Sequence, residues 1–196
     1  MKILHSIKLF LLCSLLIPQS VIGGALDDGL DAFKSGRYKL AIQYWQPLAD
    51  QGNADAQFNL GLMYMKGLGI KRDDRRALEY FTFAARQGHA DAQYNTGVMY
   101  NEGRGVYASK KDALQWWELA AKQNHAGAMH NLAVLYIYGF GVGKDEVKAV
   151  SYWQRAAQLG HIGAMQALAQ AYAEGKFGVK RNPEQARLWQ QRATEK

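Results

Sequence analysis

The side chains best suited to binding a metal ion are three histidines that recur at a fixed interval. His89, His125 and His161 are each separated by 36 residues. A zinc site needs several ligand atoms about 2 Å from one ion. If each histidine opens an equivalent helical unit, neighbouring copies lie on the order of 10 Å apart, because packed helices are about 8–10 Å apart. We therefore predict that these histidines begin helices and that the chain holds no metal.

Nucleophilic side chains are equally sparse. Beyond the N-terminal segment the serines are Ser35, Ser109 and Ser151, and none is followed by a lysine three residues later, as the Ser-x-x-Lys motif of penicillin-recognising enzymes requires. The one cysteine, Cys13, follows two leucines inside an apolar run, whereas a lipidated cysteine follows small residues. We predict no catalytic residue, no cofactor and no lipid anchor.

The composition is that of a folded chain. Of the 196 residues, 48% are hydrophobic and 21% are charged, which excludes wholesale disorder. A single cysteine excludes a disulfide scaffold. The 20 glycines are unusual beside 7 phenylalanines, 5 tryptophans and 11 tyrosines, and any fold proposed for this chain has to account for them.

The N-terminus has the pattern of a targeting segment. Residues 1–25 carry only Lys2 and Lys8 as charges, then a short apolar run, and then the small residues 23–25. This order is typical of a secretory signal peptide, and the run is shorter than a membrane-spanning helix needs. We predict cleavage after Ala25, with Gly23 and Gly24 as alternative sites, and export of the mature chain, which is then periplasmic or secreted and has no membrane span. Cleavage lowers the formal charge from +7 to about +5.

From Asn53 onward the chain repeats itself every 36 residues. The predicted units are 53–88, 89–124, 125–160 and 161–196, of which the last has one additional loop residue. Equivalent positions carry the same residue type, as in the ladders Tyr64, Tyr100, Tyr136, Tyr172 and Gly67, Gly103, Gly139, Gly175. Such internal periodicity indicates an array of small structural units.

Each unit reads as two helices. In the first unit, apolar residues at helical spacing predict one helix from Ala54 to Lys66 and another over about Asp74–Gln87. Gly67 suits a helix C-terminus, and Asp73 or Asp74 suits the following N-cap. Residues 26–52 form a shorter, related hairpin. Small residues let the paired helices approach and aromatic rings fill the space beside them, which explains the composition.

The repeated pattern resembles the Sel1-like repeat. In the first unit it comprises Ala54, Ala56, Leu60, Gly61, Tyr64, Gly67, Gly69, Ile70, Asp74, Ala77, Phe81, Ala84, Ala85 and Gly88. The resemblance covers the mature chain, and the 26–52 hairpin is similar to a tetratricopeptide repeat. Ala133 replaces the glycine of the third unit, and we expect this exchange to leave the core unaffected.

The resemblance implies an all-α fold, a right-handed α–α superhelix (solenoid) of about ten helices in five stacked hairpins. It also implies a scaffold or adaptor without catalytic residues. Cysteine-rich relatives are described as binding or hydrolysing penicillins, but the mature chain lacks their cysteines. A cell-wall or β-lactam hydrolase is nevertheless an alternative from another functional class. A secreted factor that acts on a host or competitor protein is a further alternative.

By analogy with tetratricopeptide arrays, one face of each first helix lines a concave groove. Interleaved apolar, amide and charged side chains on that face suit a protein or peptide partner. The predicted partner-binding residues are Phe58, Met65, Lys66, Tyr94, Asn101, Glu102, His130 and Tyr138. The alternative is that some of them pack against the next unit. We expect substitution of Phe58, Tyr94 and Tyr138 together to weaken partner capture without unfolding.

Basic residues cluster in the loops, as Lys71-Arg72, Arg75-Arg76, Lys110-Lys111 and Lys180-Arg181. Acidic residues accompany them, which favours a solvated surface, although an anionic envelope polymer remains open as a partner. We predict no nucleic-acid partner, because an exported protein rarely meets nucleic acid. The leading hypothesis is a non-enzymatic exported scaffold that binds its partner through the concave face.

Overall fold

The computed structural model describes residues 19–195, and the secondary structure of that range is entirely helical. The ten helices are α1 (Gln19–Lys34), α2 (Tyr38–Asp50), α3 (Ala54–Lys66), α4 (Asp74–Arg86), α5 (Ala90–Glu102), α6 (Lys110–Lys122), α7 (Ala126–Tyr138), α8 (Glu146–Gln158), α9 (Ile162–Glu174) and α10 (Pro183–Thr194). Each helix packs chiefly on the helices before and after it in the chain. The prediction of an all-α solenoid of helical hairpins is confirmed. The boundaries of α3 are as predicted, and α4 ends one residue earlier than expected.

Alanines and large rings share the interior of each hairpin. Ala77, Ala113 and Ala149 are fully buried at equivalent positions of the second helices. Phe81, Trp117 and Trp153, four residues further along, are also buried. A small side chain next to a large one lets two helices interlock closely, so the unusual composition is a property of the repeated core.

Polar side chains cap the N-termini of α3 to α10. Asp73, rather than Asp74, caps α4, and its carboxylate accepts the N–H of Arg76. The three repeated histidines cap α5, α7 and α9, where each Nδ1 accepts an N–H three residues later at 3.1–3.2 Å. The prediction that these histidines begin helices is confirmed, with the addition that their ring nitrogen is the capping atom.

Gly105 illustrates how successive hairpins dock. It is the second glycine of the Gly-x-Gly loop after α5, and its φ of +72° belongs to the left-handed region. A Cβ atom there would lie 2.5 Å from the carbonyl oxygen of Asp74, at the start of α4. Gly105 thus lets the loop of one unit rest on the second helix of the preceding unit. Gly69 and Gly141 make the equivalent contacts with α2 and α6.

The glycine-to-alanine exchange at position 133 does affect the core. At the equivalent Gly97, a Cβ would lie 2.4 Å from Nε1 of Trp117, and that nitrogen donates to the carbonyl oxygen of Tyr94 at 3.1 Å. Ala133 places a methyl group in this space, and the buried Nε1 of Trp153 has no hydrogen-bond partner. The expectation of a neutral exchange was wrong, because the glycine accommodates an aromatic ring rather than a neighbouring backbone.

The predicted signal segment falls mostly outside the described residues, which begin at Gln19. Helix α1 starts there and continues through residues 23–25, where cleavage is predicted. The signal peptide and its cleavage site therefore stay predictions. Among the described helices, none combines the length and the apolar character required to cross a membrane.

Candidate partner-binding face

The surface formed by α1, α3, α5, α7 and α9 is called here the first-helix face, and it holds all eight predicted partner-binding residues. Lys66, Glu102 and Tyr138 are exposed in the last turns of their helices. Phe58, Met65, Tyr94, Asn101 and His130 are half-buried.

Three of the half-buried residues connect neighbouring units. The Phe58 ring stacks on His89 with centroids 4.5 Å apart, and Tyr94 stacks on His125 at 4.4 Å. His130 stacks on His161 at 4.7 Å. Each ring thus covers the capping histidine of the next unit, which is the packing alternative considered above. Because alanine at Phe58 or Tyr94 would remove this packing, substituting these two residues cannot test binding independently of folding.

A cavity of about 380 Å³ opens on the first-helix face between α5 and α7, and we call it the α5–α7 cavity. Its lining consists of Tyr94, Val98, Asn101, Glu102, Lys110, Trp117, Asn131, Val134, Leu135 and Phe140. The structure therefore brings together three predicted residues, Tyr94, Asn101 and Glu102. Its size lies within the range of ligand-binding pockets, and it combines an apolar wall with a few polar groups, as such pockets do.

Lys110 supplies the cation of this cavity. Its ammonium donates to the backbone oxygen of Asn101 at 3.0 Å and to the side-chain Oδ1 of the same residue at 2.6 Å. The side chain is partly buried, unlike that of the adjacent, exposed Lys111. Both lysines were predicted to be part of a solvated loop surface. Lys111 is exposed to solvent as predicted, whereas Lys110 is partly buried in the cavity.

An exposed aromatic pair lies at the edge of the cavity. Tyr138 is 61% exposed and Phe140 is 48% exposed, and their rings stack with centroids 5.4 Å apart. At the equivalent positions, Glu102 approaches Arg104 and Glu174 pairs with Lys176. The third unit thus presents two rings where its neighbours present charges. Exposed aromatic side chains beside a cavity are common anchors of protein interfaces.

Met65 and Lys66 lie outside the cavity, as do Phe58 and His130. Between the units 53–88 and 89–124, Arg104 forms a two-bond ion pair with Asp74 at 2.8 and 3.2 Å. Arg72 binds the same carboxylate, so the two guanidinium groups hold the pKa of Asp74 far below its ordinary value. Some loop cations are therefore engaged in structural ion pairs rather than free for a partner.

Sequence reasoning missed Lys110, Asn131 and Phe140 as cavity residues. A comparison of equivalent positions would have found Lys110, which occupies the position of the acidic Asp74 and Glu146. Phe140 gives a weaker signal, because its position is basic in Arg104 and Lys176 but apolar in Leu68 of the first unit. A change of charge relative to the repeat therefore marks one residue of the cavity.

The serines are occupied by local backbone contacts. Ser109 caps α6 by accepting the N–H of Asp112, while the hydroxyls of Ser35 and Ser151 donate to carbonyl oxygens within four residues. Over residues 19–195, no group of three or more His, Cys, Asp or Glu side chains could hold a metal ion.

Comparison with known proteins identifies the family. The Sel1 repeat model matches five consecutive segments, residues 23–53, 54–89, 90–125, 126–161 and 162–196. The chain belongs to the Sel1 repeat family. The first matched segment includes the hairpin that we compared to a tetratricopeptide repeat, so the Sel1 repeat model also matches that hairpin.

Solved structures of Sel1 repeat proteins share the architecture. A Sel1 repeat protein from Oxalobacter formigenes is 32% identical with a TM-score of 0.80, over 87% of this chain and 68% of that one. A protective antigen of uropathogenic Escherichia coli strains is 28% identical with a TM-score of 0.81, over 90% of this chain and 39% of that one. Solenoids of Sel1 repeats generally serve as protein-interaction scaffolds.

One curated relative is matched over a short stretch. The mouse protein DAP3-binding cell death enhancer 1 is 40% identical over 50 residues, which are 26% of this chain. The match spans 10% of the mouse protein.

Proposed function

We propose that this chain is an exported, non-enzymatic scaffold that binds a segment of a protein partner on its first-helix face. The α5–α7 cavity is the centre of the proposed site, and the Tyr138–Phe140 pair is its edge. The observation that carries the proposal is the conjunction of a 380 Å³ cavity with two exposed, stacked rings. The family membership supports a protein partner rather than a small substrate.

The aromatic pair provides the direct test. Replacing Tyr138 and Phe140 by alanine should weaken partner binding at least tenfold, since truncating an aromatic hot-spot residue commonly costs about 2 kcal/mol of binding free energy. Because both rings are substantially exposed, the thermal unfolding midpoint should change little. Partner capture is measured with a photo-crosslinking amino acid at the exposed position 102, in cells of the native host.

Tyr107 supplies the matched control. It is an aromatic residue that is 96% exposed in the loop after α5, and Tyr107→Ala should leave crosslinking unchanged. A crosslinker at the exposed Gln115 of α6 reports on a surface outside the first-helix face. Equal capture by the native chain and the Tyr138/Phe140 double variant would contradict the proposed site.

The export part of the proposal has a separate test. Residues 1–25 carry the features of a signal peptide described above, so the full chain should be recovered outside the cytoplasm with a new N-terminus close to residue 26. Deleting residues 2–18 should retain the chain in the cytoplasm. Cell fractionation and N-terminal sequencing measure both outcomes, and recovery of an unprocessed cytoplasmic chain would refute export.

A further inference from the structure

The contact between the second and third predicted units differs from its neighbours in charge. In the preceding contact, Arg104 from one loop meets Asp74 at the start of the facing second helix. One unit later the same two positions hold Phe140 and Lys110. The loop backbone still docks in the same way, because a Cβ on Gly141 would meet Lys110 and Lys111 at 2.8–2.9 Å. The packing is therefore retained while the ion pair is replaced by a cation and a ring.

Lys110 has no carboxylate counter-ion among the described residues of this contact. Among residues 19–195, no carboxylate oxygen lies within 4.0 Å of its ammonium, which bonds instead to two neutral oxygens of Asn101. A partly buried ammonium without an opposite charge is poorly stabilised compared with one that is paired. A ligand carboxylate would supply the missing charge.

The rest of the cavity calls for an apolar group beside that carboxylate. Val98, Val134 and Leu135 are aliphatic, and Trp117, Tyr94 and Phe140 add aromatic surface. Glu102 is the one acid of the lining, and its Oε2 lies 3.9 Å from an Arg104 nitrogen, which offsets part of its charge. The lining thus holds one cation, Lys110, that has no carboxylate of the described residues within 4.0 Å and lies next to an apolar wall.

We infer that the partner segment is an extended peptide that presents an Asp or Glu carboxylate to Lys110 and a bulky apolar side chain to the α5–α7 cavity. The two side chains are separated by one residue, because positions i and i+2 of an extended chain point to the same side. Asn131, also in the lining, is able to bond the peptide backbone of such a segment. This inference rests on the proposed function and adds the chemistry of the partner to it.

Peptide display on the mature chain tests the inference. A random dodecapeptide library selected on residues 26–196 should become enriched in acid-x-apolar sequences. The same selection on the Lys110→Glu variant should lose the acidic residue and gain Lys or Arg. For a peptide selected on the native chain, exchanging its Glu for Gln should weaken binding about tenfold, and Lys110→Glu should weaken it at least as much.

Lys111→Glu is the matched control, since it makes the same charge change on an exposed neighbour. Selection on Lys111→Glu should enrich the same acid-x-apolar sequences as selection on the native chain. The affinities of the selected peptides should stay within about twofold of those for the native chain. Circular dichroism verifies that each variant is folded, and Lys110→Met provides a neutral second variant that should also lose the acidic preference. Peptides without an enriched acid, or equal effects of Lys110→Glu and Lys111→Glu, would overturn the inference.

The outcomes separate this inference from the proposed function. Peptides that crosslink to position 102 and depend on Tyr138 and Phe140, but carry no acid, would retain the proposed site and reject the chemistry assigned to Lys110. Peptides that bind without any dependence on Tyr138, Phe140 or Lys110 would reject both.

Discussion

Replacing Gly105 with alanine is expected to lower the free energy of unfolding by about 2–5 kcal/mol. The left-handed backbone accounts for about 1–2 kcal/mol, because a Cβ in that conformation meets the adjacent carbonyl oxygen. The remainder, about 1–3 kcal/mol, comes from forcing a methyl group into a closed contact. At Gly105 that contact is with the backbone of Asp74 and Arg75, which cannot rotate away as a side chain would. Urea denaturation of the native chain and the variant measures the difference.

Gly178 is the matched control for this substitution. Its φ of +75° is nearly that of Gly105, but a Cβ there would have nothing within 4 Å. Gly178→Ala should therefore lose only the conformational part, about 1–2 kcal/mol. If the two variants were equally destabilised, the docking of the loop on α4 would contribute nothing measurable.

Acidification is expected to destabilise the chain well above the pH at which its carboxylates titrate. Burial lowers the pKa of His125 and of His161 below the ordinary value near 6.5. It lowers the pKa of His130 to about 4, and the neighbouring His161 contributes to that shift. Asp91, whose carboxylate lies 3.2 Å from His125, opposes the effect at that residue.

The direction of the pH dependence of stability follows from the number of protons that the folded and the unfolded chain bind. Between about pH 6.5 and 4 the unfolded chain binds more protons than the folded chain, so stability rises with pH in this window. The stability that the neutral histidines contribute is complete above about pH 6.5 and is lost as the pH falls toward 4. Protonated imidazoles also have no free acceptor, so His125 and His161 could no longer cap α7 and α9 through Nδ1.

Thermal unfolding at pH 7.5 and pH 5.0 measures this loss. Because the imidazoles retain some solvent contact that screens their charge, we expect a loss of about 2 kcal/mol, or roughly 5 °C in Tm. The repeats supply non-titrating replacements for two positions, since Tyr94 occupies the position of His130 and Asn53 caps α3. The variant His130→Tyr/His161→Asn should lose at least half of the pH dependence. An unchanged Tm between the two pH values in the native chain would refute the expectation.

The repeated part of the molecule was accessible from sequence. A 36-residue period, with glycines after one helix and alanines inside the next, predicted the eight helices from α3 to α10 and the start of each of the four units. Ala133 was misjudged because its effect depends on an aromatic ring in the facing helix, which a one-dimensional comparison does not place. Contacts between paired helices, unlike helix periodicity, depend on which side chain meets which across 20 or more residues.

The candidate site was only partly accessible for the same reason. Analogy identified Tyr94, Asn101 and Glu102, which lie on a single helix and share one face. Lys110 comes from α6 and reaches α5 within the second unit, where its ammonium bonds to Asn101. Phe140 comes from the loop after α7, and only docking of the third unit on the second brings it beside α5. Analogy also grouped Phe58 and His130 with these residues, although their rings cover the histidines of the following units.

These ring contacts give the array a direction. Asp55 and Phe58 of one unit hold His89, the cap of the next, and Asp91 and Tyr94 hold His125 in the same way. Each unit therefore stabilises the N-terminal cap of the unit that follows it in the chain. Removing a unit from the C-terminal end leaves every remaining cap with its neighbours, whereas removing one from the N-terminal end deprives the new first unit of the groups that position its cap. Unravelling should accordingly spread more readily from the amino end than from the carboxyl end.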